Sequence, residues 1–463
     1  MDRPALISLF SGAGGLDLGL EMAGFDTRVL IDAEPHACET LRRNKILGRA
    51  SPSEKRKLLA DALEQHCYHD ASPEDRNALS SRILSVRARE LLLNATVLER
   101  DIREVTSAEL LDACGLRKNQ ELACIAGGPP CQPFSRAGKR KAVDDESHGD
   151  LFFEFVRIVR DLRPRWFVFE NVKGLLLTKT DVVTYSCPKC RSRDLLSFTD
   201  RMRWSREELD PISCPKCRSL KTDLRAASVP GGSLEIILRE FERIGYLCYH
   251  GVLNAADFGA PQMRERLFIV GSRDKESFSW PTITHSSPKL AEANHQSTPL
   301  LFPAGRRALQ LPPWRTTLDA LWRDGHPRFG KLDPTHAVLW VKNVVRPHAE
   351  PVTWSLERPS PTIGAHQAAK LAIAPYGVPE AQLRRQQWHV KGKRQGDTRP
   401  VRVDHEYLSD LELLTLQTFP PSWYLHGTRM QRAFQIGNAV PPCLARAVGN
   451  ALLRSHQEAV AAT

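Results

Sequence analysis

The chain of 463 residues carries 65 lysines and arginines against 54 aspartates and glutamates, a net charge of +11, and is 41% hydrophobic. That composition excludes a disordered chain, leaves room for two lobes, and its positive balance favours a polyanionic partner. No run of eighteen apolar residues and no basic-then-apolar leader is present, so neither a membrane helix nor secretion is expected, and the cytoplasm is the expected setting. Eleven cysteines, of which only four are closely paired, argue for a reducing compartment rather than a disulfide framework.

The apolar run ALISLF stops at SGAGG, and GLDLGLEMAGF then repeats apolar residues at helical spacing: strand, tight turn, helix. TRVLIDAE reads as a second strand ending in acids, followed by a helix over PHACETLRRN. The rhythm returns in TVLERD, in ELACIAGG and in WFVFEN, the last preceded by the amphipathic LFFEFVRIVRDLRP. Strands alternating with helices predict an α/β fold, a mostly parallel sheet covered on both faces. SLEIILREFERIGY predicts a further helix, and YLCYHGVLN and RLFIVGS a closing pair of strands, so this body ends near residue 273.

Two insertions interrupt it. Residues 49–95 hold two helices, each opened by serine then proline (Ser51-Pro52 and Ser72-Pro73), the order of an N-cap and first helical position; packing or partner contact is their expected role. Residues 176–229 contain CPKC twice, and Cys187, Cys190, Cys214 and Cys217 at that spacing predict a closed, tetrahedral, structural zinc site. After residue 273 the chain turns proline-rich, basic and irregular. Its interleaved tryptophans and cations suit a nucleic acid, and suit a peripheral structural lobe as well. The tail FQIGNAVPPCLARAVGNALLRS predicts a loop and then an apolar helix that docks on the first lobe; no internal repeat is evident.

In a parallel α/β sheet, ligands bind at the carboxyl ends of the strands. The SGAGG loop, Glu34, Asp101, Cys131 and Glu170 all fall there. The glycines do not form a complete GxGxxG, but with the acid Glu34 about 20 residues on they suggest an adenosine-containing cofactor of open identity. Cys131 in AGGPPCQPFSR is braced by prolines and approached across glycines, which favours a positioned nucleophile. Arg136, Lys139, Arg140 and Lys141 follow it and either promote the thiolate or meet phosphate. Glu170 ends the apolar WFVFE and is either a general acid in a desolvated crevice or a strand-end acid paired with an arginine.

With FSGAGGLDLGLEMAGF, GGPPCQPFS, FENV, QMRERLFIVG and QIGNAVPP in that order, the sequence resembles the DNA (cytosine-5)-methyltransferases over most of its first 273 residues and its tail. The resemblance implies a Rossmann-like sheet dependent on S-adenosylmethionine (AdoMet), with helices on both faces and a smaller, irregular target-recognition domain. The helical insertion and the zinc-ribbon-like insertion depart from the family's minimal pattern. The expected division is a catalytic domain at 1–273, target recognition at 274–425 and a returning segment at 426–463. Phe10, Gly12, Gly14, Glu34, Asp101, Ile102, Asn438 and Val440 are then the cofactor contacts. Cys131 is the nucleophile toward carbon 6 of a flipped-out cytosine, Glu170 the acid on the base, and Arg264 and Arg266 the base-orienting and active-site arginines. Double-stranded DNA is the expected partner of a monomeric prokaryotic enzyme, with a cognate restriction endonuclease beside it. Two alternatives stand next to this: the same chemistry on tRNA, against which the large basic segment at 285–400 argues, and a DNA-binding protein without catalysis, against which Cys131, Glu170 and both arginines argue.

Overall fold

The structure is a computed structural model; it describes residues 3–64, 76–77, 80–81, 84, 92–116, 120–130, 150–177, 179–195, 214, 216–219, 223–287, 311–323, 338–341, 352–368, 371–374 and 406–462. In chain order, β1 (Ala5–Leu9) leads to α1 (Gly15–Ala23), and β2 (Asp26–Asp32) to α2 (Pro35–Arg49) and α3 (Pro52–Glu64). β3 (Thr96–Glu99) precedes α4 (Ser107–Cys114), and β4 (Cys124–Gly127) precedes α5 (Asp150–Leu162) and β5 (Trp166–Val172). A small excursion follows, with β6 (Lys179–Ser186), β7 (Arg193–Leu195) and β8 (Asp223–Pro230), before α6 (Gly232–Arg243), β9 (Leu247–Asn254) and β10 (Glu265–Ser272). The remainder holds β11 (Val338–Val341), β12 (Val352–Ser355), α7 (Ala365–Ala368), β13 (Leu371–Ala374), β14 (Glu406–Tyr407), α8 (Asp410–Leu416), α9 (Arg429–Asn438) and α10 (Pro442–Ala462).

The main sheet has the order β3-β2-β1-β4-β5-β10-β9 and is parallel except for β10, which runs antiparallel to both neighbours. Its inner strands are mostly apolar because both faces are covered: every residue of β1 and of β4 is buried. On one face α5 presents Phe152, Phe155, Val156 and Val159 at helical spacing to Phe167, Phe169 and Phe241. Phe155 meets Phe169 edge-on with centroids 5.4 Å apart, and Phe241 stacks on Phe167 at 4.1 Å. On the other face α10 buries Leu444, Val448 and Leu452, each contributing about 1.5–3 kcal/mol. Its approach to α1 requires Gly19, where an added Cβ would come within 2.3 Å of the Ala445 Cβ. The tail thus docks on the first lobe as expected. QIGN, however, is not loop but the last turn of α9, which a Thr428–Gln431 capping box starts one segment earlier than the sequence suggested.

The part after residue 273 shows no βαβ rhythm because its sheet, β12-β11-β13-β14, is antiparallel. Its apolar residues join those of α1, α2, α8 and α9 in one core that includes Leu18, Leu41, Ile373, Leu413 and Trp423. Ser51 caps α3 as predicted, closing a box with Glu54; Ser72 and Pro73 lie outside the described residues.

β6, β7 and β8 form a separate antiparallel ribbon of order β7-β6-β8. Its root, Lys179 paired with Pro230, adjoins the start of α6, while Val182 and Leu195 pack on Ile236 and Arg243 in the last turn of α6 donates to the Leu195 carbonyl at 2.8 Å. The ribbon therefore lies along α6 and carries its cysteine tip away from the sheet edge where β5 ends. Among the described residues, no helix is long and apolar enough to cross a membrane.

Candidate active site

The strand order reverses between β1 and β4, and the carboxyl ends of β1 to β5 surround a cavity of about 860 Å³. The loop after β1 is bent by three left-handed residues, Phe10 at φ 57°, Gly12 at 53° and Gly14 at 84°. Phe10 is the informative one, since a bulky residue holds that conformation only where the surroundings impose it. Asp32 at the end of β2 ties down the loop that follows Phe10: its Oδ2 accepts from Gly12 N at 2.7 Å and its Oδ1 from Glu34 N at 2.8 Å. Burial raises the Asp32 carboxyl and these amide bonds hold it down. Sequence reasoning named Glu34 and passed over Asp32; the signal was a second acid two residues earlier at the same strand end. Gly14 caps α1 without any side-chain bond, so the positive end of that helix faces the loop uncapped.

Glu170 lies two residues before the end of β5, beside Arg266 of β10, with Arg266 Nε 2.9 Å from Glu170 Oε1 and both side chains only 11% exposed. Burial pushes the Glu170 carboxyl up, and Arg266, then Arg264, pull it back. The glycine pair before Cys131 is explained by two close approaches: a Cβ on Gly128 would lie 2.6 Å from Glu170 Oε2, and one on Gly127 would lie 2.4 Å from the Leu9 carbonyl. Asn171 Nδ2 donates to the Pro129 carbonyl at 3.1 Å, tying the loop to β5. Cys131, with Arg136, Lys139, Arg140 and Lys141, lies outside the described residues. Cys124 is wholly buried in β4 as a core residue.

Of the expected cofactor contacts, Phe10, Gly12, Glu34, Asp101, Ile102, Asn438 and Val440 line the cavity, with Glu170 and Arg266 at its other end. Gly14 does not line it; a Cβ there would strike Leu41 and Trp423, so its contribution is to the turn. Asp101 accepts from Arg103 N and Nε, both at 3.0 Å, and the Arg103 bonds lower its carboxyl. Arg264 is also absent from the wall. It is fully buried, and its Nη1 and Nη2 donate to the carbonyls of Ile363 at 2.7 Å and Gly437 at 2.8 Å. Residues not foreseen that do line the cavity include Arg100, Asn171, Ala365, Phe434 and Gln435; Asn171 and Gln435 lie within the quoted motifs FENV and QIGNAVPP, Arg100 and Phe434 directly beside foreseen segments, and only Ala365 is remote from them.

The tip of the ribbon brings the Sγ atoms of Cys187, Cys190, Cys214 and Cys217 within 4.8 Å of one another. Cys187 and Cys217, and likewise Cys190 and Cys214, are 3.6 Å apart, close to the edge of about 3.8 Å of a tetrahedron with Zn–S bonds of ~2.3 Å. Both turns have the sequence CPKCRS, a short repeat not seen in the sequence reading. Arg191 and Arg218 take φ 56° and 57°, and Cys187 N and Cys214 N donate to Ser192 O and Ser219 O at 2.9 and 2.8 Å.

A cavity at the switch point of a parallel α/β sheet is where such folds bind nucleotide cofactors, and comparison with known proteins places the chain further. A family model described as C-5 cytosine-specific DNA methylase matches residues 5–65, 93–186 and 227–454, and its two gaps fall within the two insertions. The chain belongs to this family and is an AdoMet-dependent DNA (cytosine-5-)-methyltransferase. Type II methyltransferase M.AquIA of Picosynechococcus sp. is 32% identical over 316 residues, 68% of this chain and 87% of its own. M1.HphI of Haemophilus parahaemolyticus is 27% identical over 454 residues, covering 97% and 86%. M.SacI of Streptomyces achromogenes is 26% identical over 464 residues, covering 97% and 92%. Among solved structures, a putative DNA modification methyltransferase encoded within an E. coli prophage aligns over 98% of this chain and 99% of that chain, at 16% identity and a TM-score of 0.47.

Proposed function

We propose that the enzyme methylates cytosine within a specific duplex DNA sequence through a covalent bond between Cys131 and carbon 6 of a flipped-out base. The observation that carries this is the Glu170–Arg266 pair at the cavity end, beside the Gly128–Pro129 turn that leads directly to Cys131. The cavity fits AdoMet: a Cβ on Gly12 would meet nothing within 4 Å, leaving the turn open, and the uncapped start of α1 suits a carboxylate. Glu34, Asp101 and Ile102 on one side and Asn438 and Val440 on the other would hold the nucleoside. Bound there, AdoMet supplies an electrophilic methyl group.

Carbon 5 of cytosine is too weak a nucleophile to accept that group unaided. Attack of the Cys131 thiolate on carbon 6 forms an S–C bond and moves an electron pair toward the ring, which makes carbon 5 nucleophilic. Glu170, whose carboxyl is pushed up by burial and pulled back by Arg266, serves in this reading as the acid that donates to ring N3, and Arg266 steadies charge on the carbonyl oxygen. After methylation, loss of the carbon 5 proton expels the thiolate. The base must leave the stack first, at a cost of a few kcal/mol that DNA binding offsets. Residues 274–425 form the target-recognition domain in this reading, and 426–463 the segment that completes the cofactor wall. The four cysteines hold a structural zinc ion. A cognate restriction endonuclease, a monomeric state and a prokaryotic cytoplasm complete it; relatives named Type II methyltransferases support the first and bacterial sources the last.

The test is bisulfite sequencing of duplex DNA treated with the native enzyme and with Cys131→Ser. Methylation at one recurring sequence context is expected with the native enzyme, and none with the variant. Equal methylation by both would refute the covalent route, and methylation of tRNA but not DNA would refute the substrate.

A further inference from the structure

Arg264 is a buried cation that forms no ion pair among the described residues. Its two Nη groups go to carbonyls, and its Nε has no partner. Desolvating a guanidinium is costly, burial works against its charge, and two carbonyls compensate less than a carboxylate would. Its protonation is nevertheless fixed by the chemistry of the group. A residue this costly is explained by what its bonds connect.

Both acceptors sit next to the cavity wall. Ile363 is two residues before Ala365, and Gly437 immediately precedes Asn438; Ala365 and Asn438 line the cavity. The two segments touch backbone to backbone, since a Cβ on Gly437 would come within 2.4 Å of the Ala365 Cα. Neighbours of Arg264 reinforce the seam: Met263 N donates to Ser360 O at 2.8 Å, and Gln262 Oε1 accepts from Ile363 N at 3.1 Å. Two residues further on, Arg266 holds Glu170. Among the described residues the charged groups facing Glu170 are Arg266 and Arg264; β4, on its other side, brings the uncharged Gly128.

We propose that Arg264 is a positioning residue rather than a base contact: its fork fastens the 363–365 and 437–440 segments into one cofactor wall, and its buried charge acts on Glu170 across the same interior. The second half rests on Glu170 serving as the protonated acid. Arg264 thereby links cofactor binding to the protonation state of the group that activates the base.

Full-length Arg264→Lys and Arg264→Met separate the two roles. AdoMet affinity is read by equilibrium dialysis, and kcat/KM on duplex DNA is read across pH, after circular dichroism and melting have shown which variants fold. Both variants should bind AdoMet about 10-fold or more weakly, because neither side chain reproduces the fork. Loss of the charge raises the Glu170 pKa, so in Arg264→Met the high-pH limb of activity should move up by about 1 pH unit. Arg264→Lys should leave that limb at its native position. Native AdoMet affinity in either variant overturns the wall; a native limb in Arg264→Met, or an equal displacement in Arg264→Lys, overturns the electrostatic link. If Arg264→Met does not fold, Arg264→Lys decides through its affinity and its limb. Glu170→Gln is the control: if it keeps the native limb, the acid reading fails, and affinity alone judges Arg264.

Discussion

The cysteine ribbon and the catalytic cavity are built on opposite principles. The ribbon's four clustered cysteines lie between residues 187 and 217, on two copies of one hexapeptide, each turn closed by its own backbone bond. The cavity draws on residues from Phe10 to Val440 and on the ends of five strands, and none of its contributors is sufficient alone. The ribbon also carries its four thiols on a tip remote from the edge where β5 ends, whereas the cavity has buried ionisable groups at its wall and behind it: Glu170 with Arg266, and Arg264 behind them. A cluster closed by local turns depends on little else of the fold. A cavity assembled from distant segments depends on every packing contact that sets those segments.

The largest effect that would test this contrast is at Glu170. Glu170→Gln should lower kcat by about 10²–10⁴-fold while melting of the ribbon is unchanged, since the variant removes proton donation and leaves Arg266 unpaired; a kcat within a few-fold of native would mean that the pair is structural. Gly128→Ala comes next. Its Cβ would intrude to 2.6 Å from Glu170 Oε2, and the displaced carboxyl should reduce kcat by roughly 10²-fold in a protein that still binds AdoMet.

On the ribbon, metal analysis should find about one zinc per chain, and chelation should lower the melting temperature by about 5 °C or more. Methyl transfer per folded molecule should survive the chelation; its loss would mean that the two regions are coupled. A further effect concerns Asp17, which is wholly buried: burial is the main cause that raises its pKa to about 7, with Ser8 beside it pulling the other way. A folded-state pKa above the unfolded value stabilises below about pH 4, and that contribution is lost as pH rises toward 7. Asp17→Asn should therefore gain on the native enzyme between pH 4 and pH 8 by on the order of 4 kcal/mol in unfolding free energy. Parallel pH profiles for the two proteins would show that the Asp17 carboxyl is not raised in the folded enzyme.

Much of this enzyme was legible in the sequence. Apolar runs alternating with helical periodicity gave β1 to β5 and their helices, because a strand buried on both faces admits few polar residues. Ser51 and Pro52 marked a helix start by local hydrogen bonding alone, and the doubled CPKC marked a four-thiol cluster by spacing alone. The antiparallel sheet after residue 273 was not legible, since its short strands carry no period long enough to read. Asp32 was overlooked beside Glu34 because its importance lies in amides contributed by another loop.

What the sequence determined by itself was therefore whatever depends on neighbours in the chain: strand and helix periods, caps, the cysteine spacing and the ordered motifs that mark the family. Only the tertiary structure decided that the glycine before Pro129 makes room for the Glu170 carboxyl, that Arg266 meets Glu170 while Arg264 turns to Ile363 and Gly437, and that the ribbon runs along α6 away from the catalytic edge. Two arginines separated by one residue are chemically alike in the sequence. Their surroundings differ because Arg266 enters β10 beside Glu170, whereas Arg264 lies in the turn where three distant segments converge, and that convergence exists only when the chain is folded.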